Sequence, residues 1–134
     1  MSEPRFEIER LGERTEGLAP GIDRKHLVRL RRGEVNVDHR VDLHGLAAAD
    51  ARRTLRAELE RVRGSGLRCL LVIHGRGLHS EGAAVLREGV TEWLAAPPLA
   101  DLVMAFASAR PEHGGTGATY VLLRRMRARG ERRG

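Results

Sequence analysis

The sequence predicts an α/β fold, a two-layer β-α-β-α-β-β sandwich built on a four-stranded mixed sheet. Three observations carry that expectation. Short strand patterns alternate with helical ones between residues 40 and 94. The run "LRCLLVIHGRG" is almost continuously apolar up to its glycine-rich end, as a central strand covered on both faces is. Two apolar runs, "VDLHGL" and "LLVIHG", both end in His-Gly, which places two similar loops at two strand ends.

Each element is read in order. Residues 1–20 are charged and carry Gly12, Gly17 and Pro20, so they are expected to be a mobile or loosely attached arm. In "GIDRKHLVRLRRGEV", Asp23 caps a short helix over 24–32 that stops at Gly33, with Leu27, Val28 and Leu30 on its apolar side. "HRVDLHG" gives a brief strand near Arg40–His44. Ala51, Leu55, Leu59 and Val62 then recur at helical spacing, and Gly64-Ser65-Gly66 ends that helix. A second helix starts at the cap Ser80, turns Val85 and Leu86 inward, continues through Val90, Trp93 and Leu94, and closes at "APP". "DLVMAFASA" is the third strand, "RPEHGGTG" a glycine-rich loop, and "ATYVLLRRM" a fourth strand, antiparallel at or near an edge. The organisation is thus an arm with a short basic helix over 1–37, a domain over 38–126, and a basic tail over 127–134.

Composition narrows the class. The 134 residues suit one domain that buries its own core. The single cysteine, Cys69, lies inside an apolar strand and reads as a small buried hydrophobe. The N-terminus lacks the apolar stretch of a secretory signal, and no run is long enough for a membrane span, so a soluble cytoplasmic protein without a membrane partner is expected. A net charge of +6 favours a polyanionic partner. All but one of the basic residues are arginine, and residues 110–134 hold seven of them against two glutamates, so the excess sits in the last strand and tail. Two phenylalanines, one tryptophan and one tyrosine are too few for a base-stacking platform.

The candidate site follows from strand geometry. Residues two apart share a face, so Asp42 and His44 point the same way at the C-terminal end of the first strand. Ligands of open α/β sheets bind beyond that rim, and His74-Gly75-Arg76-Gly77 ends the next strand there. The Gly75–Gly77 backbone can form a nest of N–H groups, with Arg76 as a bidentate phosphate donor beside it. It lacks the Gly-Lys-Ser/Thr ending of a nucleotide-binding P-loop. His44 or His74 can move a proton at a ribose hydroxyl or a leaving oxygen, and Asp42 can orient a histidine ring. Gly45, Gly115, Arg110 and His113 are further candidates for contact with nucleic acid, as are Arg124 and Arg125 in the last strand. Each has a purely structural alternative: a strand-end Asp caps turns, and glycines serve tight turns. Asp42, His44, His74, His79 and His113 lack recognised metal spacing. No metal site is assigned, although a divalent ion such as magnesium or manganese stays open as a cofactor.

These motifs resemble the Smr (small MutS-related) domain family. "VDLHGL" matches its Leu-Asp-X-His-Gly motif, with Val41 in place of the usual leucine, and "IHGRG" matches its His-Gly-Lys/Arg-Gly motif. The resemblance covers about residues 38–126. "PGIDRKHLVRLRRGEV" and "EHGGTGATYVLLRR" resemble the stand-alone bacterial members. The resemblance implies a sandwich similar to the C-terminal domain of translation initiation factor three. It also implies endonuclease activity, on DNA in some members and on RNA in others, including messenger RNA at collided ribosomes. Asp42 and His44 match the positions implicated in cleavage, and His74 to Gly77 match the loop associated with binding and support of catalysis. Three functions are thereby in view: an endonuclease on RNA or branched DNA, a non-cleaving nucleic-acid or ribosome binding module, and a small-molecule phosphate enzyme.

Overall fold

The computed structural model describes residues 5–77 and 81–126. The expected cap Ser80, the candidate ligand His79 and the basic tail 127–134 lie outside the described residues. The elements run β1 (Glu7–Leu11), β2 (Arg14–Leu18), α1 (Arg24–Arg31), β3 (His39–Asp42), α2 (Ala48–Gly64), β4 (Cys69–Ile73), α3 (Glu81–Leu94), β5 (Val103–Ser108) and β6 (Ala118–Leu123). One six-stranded sheet has the order β1-β2-β5-β6-β4-β3. Among the described residues only β3 and β4 pair in parallel; every other neighbouring pair is antiparallel.

The four-stranded, two-helix sandwich is therefore corrected to a six-stranded sheet with three helices, in three layers. Helices α2 and α3 cover one face. Their side of the core includes Leu55, Leu59, Leu86 and Val90 against Leu70, Val72 and Val121. Helix α1 covers the other, where Leu27 and Leu30 share a cluster with Cys69, Leu71, Tyr120 and Leu122. Successive β4 residues thus serve opposite layers, which is why the sequence there is apolar without alternation. Burial pushes the Cys69 thiol up to about 12, as befits a packing residue.

The expected arm is the edge of the sheet. Residues 7–18 form a hairpin that turns at Gly12 (φ +64°) and docks through β2 on β5. All five β1 residues are exposed, so the strand has no buried face, and the alternation of Phe6 and Ile8 with Glu7 and Glu9 is short. Its partner β2 is fixed by tertiary contacts instead. Gly17 lies opposite Phe106, Glu16 is buried against Arg31 at 3.0 Å, and Phe6 stacks on Phe106 with ring centres 5.9 Å apart. The second correction concerns β6. It lies between β5 and β4 rather than near an edge, because every residue from Ala118 to Leu123 is buried.

The helices follow their patterns with one exception. Asp23 Oδ1 caps α1 by accepting from the Lys25 N–H at 2.9 Å. The stripe Ala51, Leu55, Leu59 and Val62 is buried as expected. Val85 is not inward-facing but 55% exposed, while Leu86 beside it is buried; the apolar face of α3 is narrower than the sequence implies.

Gly17 tests the hairpin's docking. A Cβ there would lie 2.3 Å from Phe106 Cζ, and that ring is buried and cannot swing clear. Gly17→Ala is expected to cost about 1–3 kcal/mol by overpacking. Urea titration should show a lowered midpoint; an unchanged midpoint would mean the hairpin does not depend on this contact.

Candidate functional site: a histidine dyad and two interlocked loops

The first loop is anchored by Leu43. Its side chain is fully buried, and its N–H donates to the Ile73 carbonyl at 2.7 Å, extending the β3–β4 pairing past the strand end. That leaves Asp42 and His44 on the outward face. Asp42 Oδ1 accepts the His44 backbone N–H at 3.0 Å and lies 2.6 Å from His44 Nδ1. Both side chains are open to solvent, 52% for Asp42 and 70% for His44. The hydrogen bond from His44 holds the Asp42 carboxyl below its usual 3.8. An ionised carboxylate only accepts, so Nδ1 carries the proton and donates it. Nε2 faces solvent, with no partner among the described residues. Gly45 follows at φ +81° with open space around it, so the backbone conformation, not crowding, demands glycine.

The second loop ends β4, beside β3. His74, expected as a second candidate for proton transfer, is 1% exposed. Its Nδ1 lies 2.9 Å from the Gly75 carbonyl and its Nε2 2.9 Å from Thr119 Oγ1. A carbonyl only accepts, so Nδ1–H donates to Gly75, and Nε2 accepts from the Thr119 hydroxyl. Burial pushes the ring below its ordinary value of 6.5, which keeps it neutral. The loop packs tightly on α3: a Cβ on Gly77 (φ +82°) would lie 2.8 Å from the Ala84 backbone nitrogen. Arg76 stands exposed on this frame. Its Nε donates to Thr116 Oγ1 at 3.2 Å, its guanidinium reaches Glu13 at 3.4 Å, and its carbonyl accepts from Arg87 at 2.9 Å.

The glycine-rich third loop interlocks with the second. The Gly117 carbonyl accepts from the His74 and Gly75 N–H groups at 3.0 and 2.9 Å. A Cβ on Gly117 would meet Arg76 Cγ at 3.0 Å, so the loops touch over that glycine. Gly115 (φ +55°) faces open space. Arg110 and His113 are engaged internally. Arg110 donates to the Arg32 carbonyl at 2.6 Å and pairs with Glu112 at 3.2 Å, while the His113 ring bonds the Tyr120 hydroxyl. Arg124 and Arg125 are not at this rim at all. Strand β6 runs against β4, so its C-terminal end lies at the other end of the sheet.

The structure thus brings Asp42, His44, Gly45, Gly75, Arg76, Gly77 and Gly115 to one rim and turns His74 into the frame beneath it. Among the described residues, no group of three or more His, Cys, Asp or Glu side chains is placed to hold a metal ion. Sequence reasoning missed Thr119, Thr116, Glu13 and Arg87. Only Thr119 carried a signal, as the one aliphatic hydroxyl inside an otherwise largely apolar strand.

The buried ring sets two expected outcomes. Thr119→Val leaves His74 Nε2 without its donor and should cost about 1–3 kcal/mol. His74 is depressed in the folded state, so its stabilisation is full above about 6.5 and is lost as pH falls through the folded value. Glu58, held at about 2 chiefly by Arg61 and then by His39, contributes above 4.5 and is lost only toward pH 2. Denaturant titrations across pH should show both phases in the wild type and only the lower one in His74→Gln. An upper phase that persists in the variant would assign it to another group.

Comparison with known proteins places this rim in context. The family model described as the Smr domain matches residues 41–124. The chain is 37% identical over 109 residues to the ribosome rescue factor SmrB of Yersinia enterocolitica, covering 81% of this chain and 57% of that protein. It is 36% identical over 104 residues to the factor of the same name from Escherichia coli O157:H7, covering 78% and 52%. The chain therefore spans little more than half the length of these relatives. Among solved structures, YdaL, a stand-alone small MutS-related protein from Escherichia coli, superposes with a TM-score of 0.71 at 32% identity, covering 82% of each chain. The Smr domain of Thermus thermophilus MutS2 gives 0.55 at 37% identity, over 64% of this chain and 98% of that one. With both His-Gly loops inside the matched region, the chain belongs to the Smr domain family.

Proposed function

We propose that the chain is an endonuclease that cuts RNA, using His44 as the proton acceptor and Asp42 to hold its ring. The observation that carries this reading is the exposed dyad: a carboxylate fixes the His44 tautomer at 2.6 Å and leaves Nε2 free. In the proposed step Nε2 takes the proton of a ribose 2′-hydroxyl. The 2′-oxygen attacks phosphorus, the bond from phosphorus to the 5′-oxygen breaks, and that oxygen takes a proton from water at the open rim. The products are a 2′,3′-cyclic phosphate and a 5′-hydroxyl end. Arg76 neutralises charge on the phosphoryl oxygens, releasing Glu13 as it does so. His74, buried and neutral, is a positioning residue that holds the Arg76 loop through Gly75. The SmrB relatives are named ribosome rescue factors, which supports the ribosome as the setting.

The test is cleavage of end-labelled RNA and of branched DNA, each with magnesium, manganese or EDTA. His44→Ala and Asp42→Asn should lower RNA cutting by about 100-fold or more with little change in Kd. Arg76→Ala should weaken binding on all sequences and lower its salt slope by about 1. Cutting in EDTA with cyclic-phosphate ends supports the step above. Cutting that requires metal moves Asp42 to a ligand role. Tight binding without cutting by the wild type, on naked RNA and on ribosomes, makes the chain a binding module and overturns the proposal.

A further inference from the structure

We propose that the opposite end of the sheet carries a second phosphate-binding surface, formed by His26, Arg63, Arg68, Arg124 and Arg125, that grips the backbone of the same RNA away from the dyad. The inference rests on the reading of this chain as an RNA-acting protein.

These residues come from four elements. Arg63 is in the last turn of α2, Arg68 immediately precedes β4, Arg124 and Arg125 follow β6, and His26 is on α1. Together with Ile22 and Met104 they line an open depression of about 500 Å³. It is one strand away from the Asp42 rim, roughly 17 Å for a strand of five residues.

Two of the guanidiniums are held ready. Arg63 donates Nε to the Arg124 carbonyl at 3.1 Å and a terminal nitrogen to the Arg125 carbonyl at 3.3 Å. Arg68 donates Nε to the Leu123 carbonyl at 2.9 Å and a terminal nitrogen to Met104 Sδ at 3.2 Å. In each, the other terminal nitrogen makes no hydrogen bond among the described residues. A guanidinium pinned by backbone carbonyls loses little rotamer freedom when it binds an anion.

The charge is not neutralised internally. Among the described residues, none of the four arginines forms an ion pair with a carboxylate. Asp38 spends Oδ2 on the Arg68 and Cys69 backbone N–H groups at 2.9 and 3.1 Å. Partial burial first, and then the like charge of Arg125, push Arg68 below its ordinary value, against a smaller opposing pull from Asp38. A polyanion offsets that like charge. The depression is lined by no Phe, Tyr or Trp ring, and its four guanidiniums suit phosphates more than base identity.

The experiment is fluorescence anisotropy of a labelled single-stranded RNA of about 20 nucleotides, long enough to reach both ends of the sheet, titrated at several salt concentrations. The full chain is compared with Arg124→Glu/Arg125→Glu, with Arg76→Ala and with all three changes. The side chains of Arg124 and Arg125 hold nothing in place, and their carbonyls persist as acceptors, so the charge reversal should fold. Arg63→Gln is an independent variant should it not. The double variant is expected to weaken binding about tenfold or more and to lower the salt slope by about 1.5; Arg63→Gln should lower it by about half as much. The Arg76 effect should add to both, because the two sites do not touch. Unchanged affinity and slope in the double variant, with Arg76→Ala still weakening binding, would overturn this inference and leave the rim site standing. No effect of either change would remove the RNA reading itself. Retained RNA affinity with lost binding to intact ribosomes would assign the surface to the ribosome and not to the backbone of the cut RNA, and would equally overturn the inference.

Discussion

The carbonyl of Gly117 accepts hydrogen bonds from two consecutive N–H groups, those of His74 and Gly75, and the rest of the rim is built on that junction. It carries the β4–β6 pairing beyond its last strand pair, Ile73 and Ala118, into both loops. With the backbone held there, the His74 ring turns inward to Thr119, and Gly75 turns through a positive φ. Arg76 is delivered to the surface over Thr116. Loops usually cost conformational entropy when they order on a ligand. Here that cost is met in folding, by backbone hydrogen bonds and by glycines that let three segments approach to contact.

The two His-Gly endings have opposite electrostatic fates, although their sequences look alike. His44 follows a strand whose outward neighbour is a carboxylate, and it faces solvent. His74 follows a strand covered on both faces, and it is enclosed. Water around the pair screens the Asp42 charge, so its contact with His44 governs orientation more than stability. Around His74 the surroundings exclude charge, so the ring is neutral and its two hydrogen bonds are structural. One strand register separates a group suited to proton transfer from a group suited to holding a loop.

Arginine number is a poor guide to nucleic-acid surface in this chain. Arg14 donates to the carbonyls of Ser108 and Ala109, which ties the hairpin to the end of β5. Arg110 closes the end of α1 through the Arg32 carbonyl, and Arg31 neutralises the buried Glu16. Each guanidinium acts as a multi-point donor for backbone or side-chain oxygen, a task its planar fork does well. Unlike Arg31 and Arg110, the arginines at the far end have no carboxylate partner among the described residues.

The sequence by itself determined the α/β character, the amphipathic stripe of α2, the capped start of α1, and the pairing of Asp42 with His44 on one face. Those are local matters, set by period, capping chemistry and the two-residue repeat of a strand. It also marked both glycine loops, because positive φ leaves a compositional trace at Gly45, Gly75 and Gly77. Tertiary structure alone decided the rest. The first two strands were hidden because β1 buries nothing and β2 is held by Phe106 and Arg31, residues far away in the chain. The central position of β6, the burial of His74 and the separation of Arg124 and Arg125 from the rim all follow from sheet order and strand direction. No local pattern encodes these, since they depend on which distant backbones compete for the same hydrogen bonds.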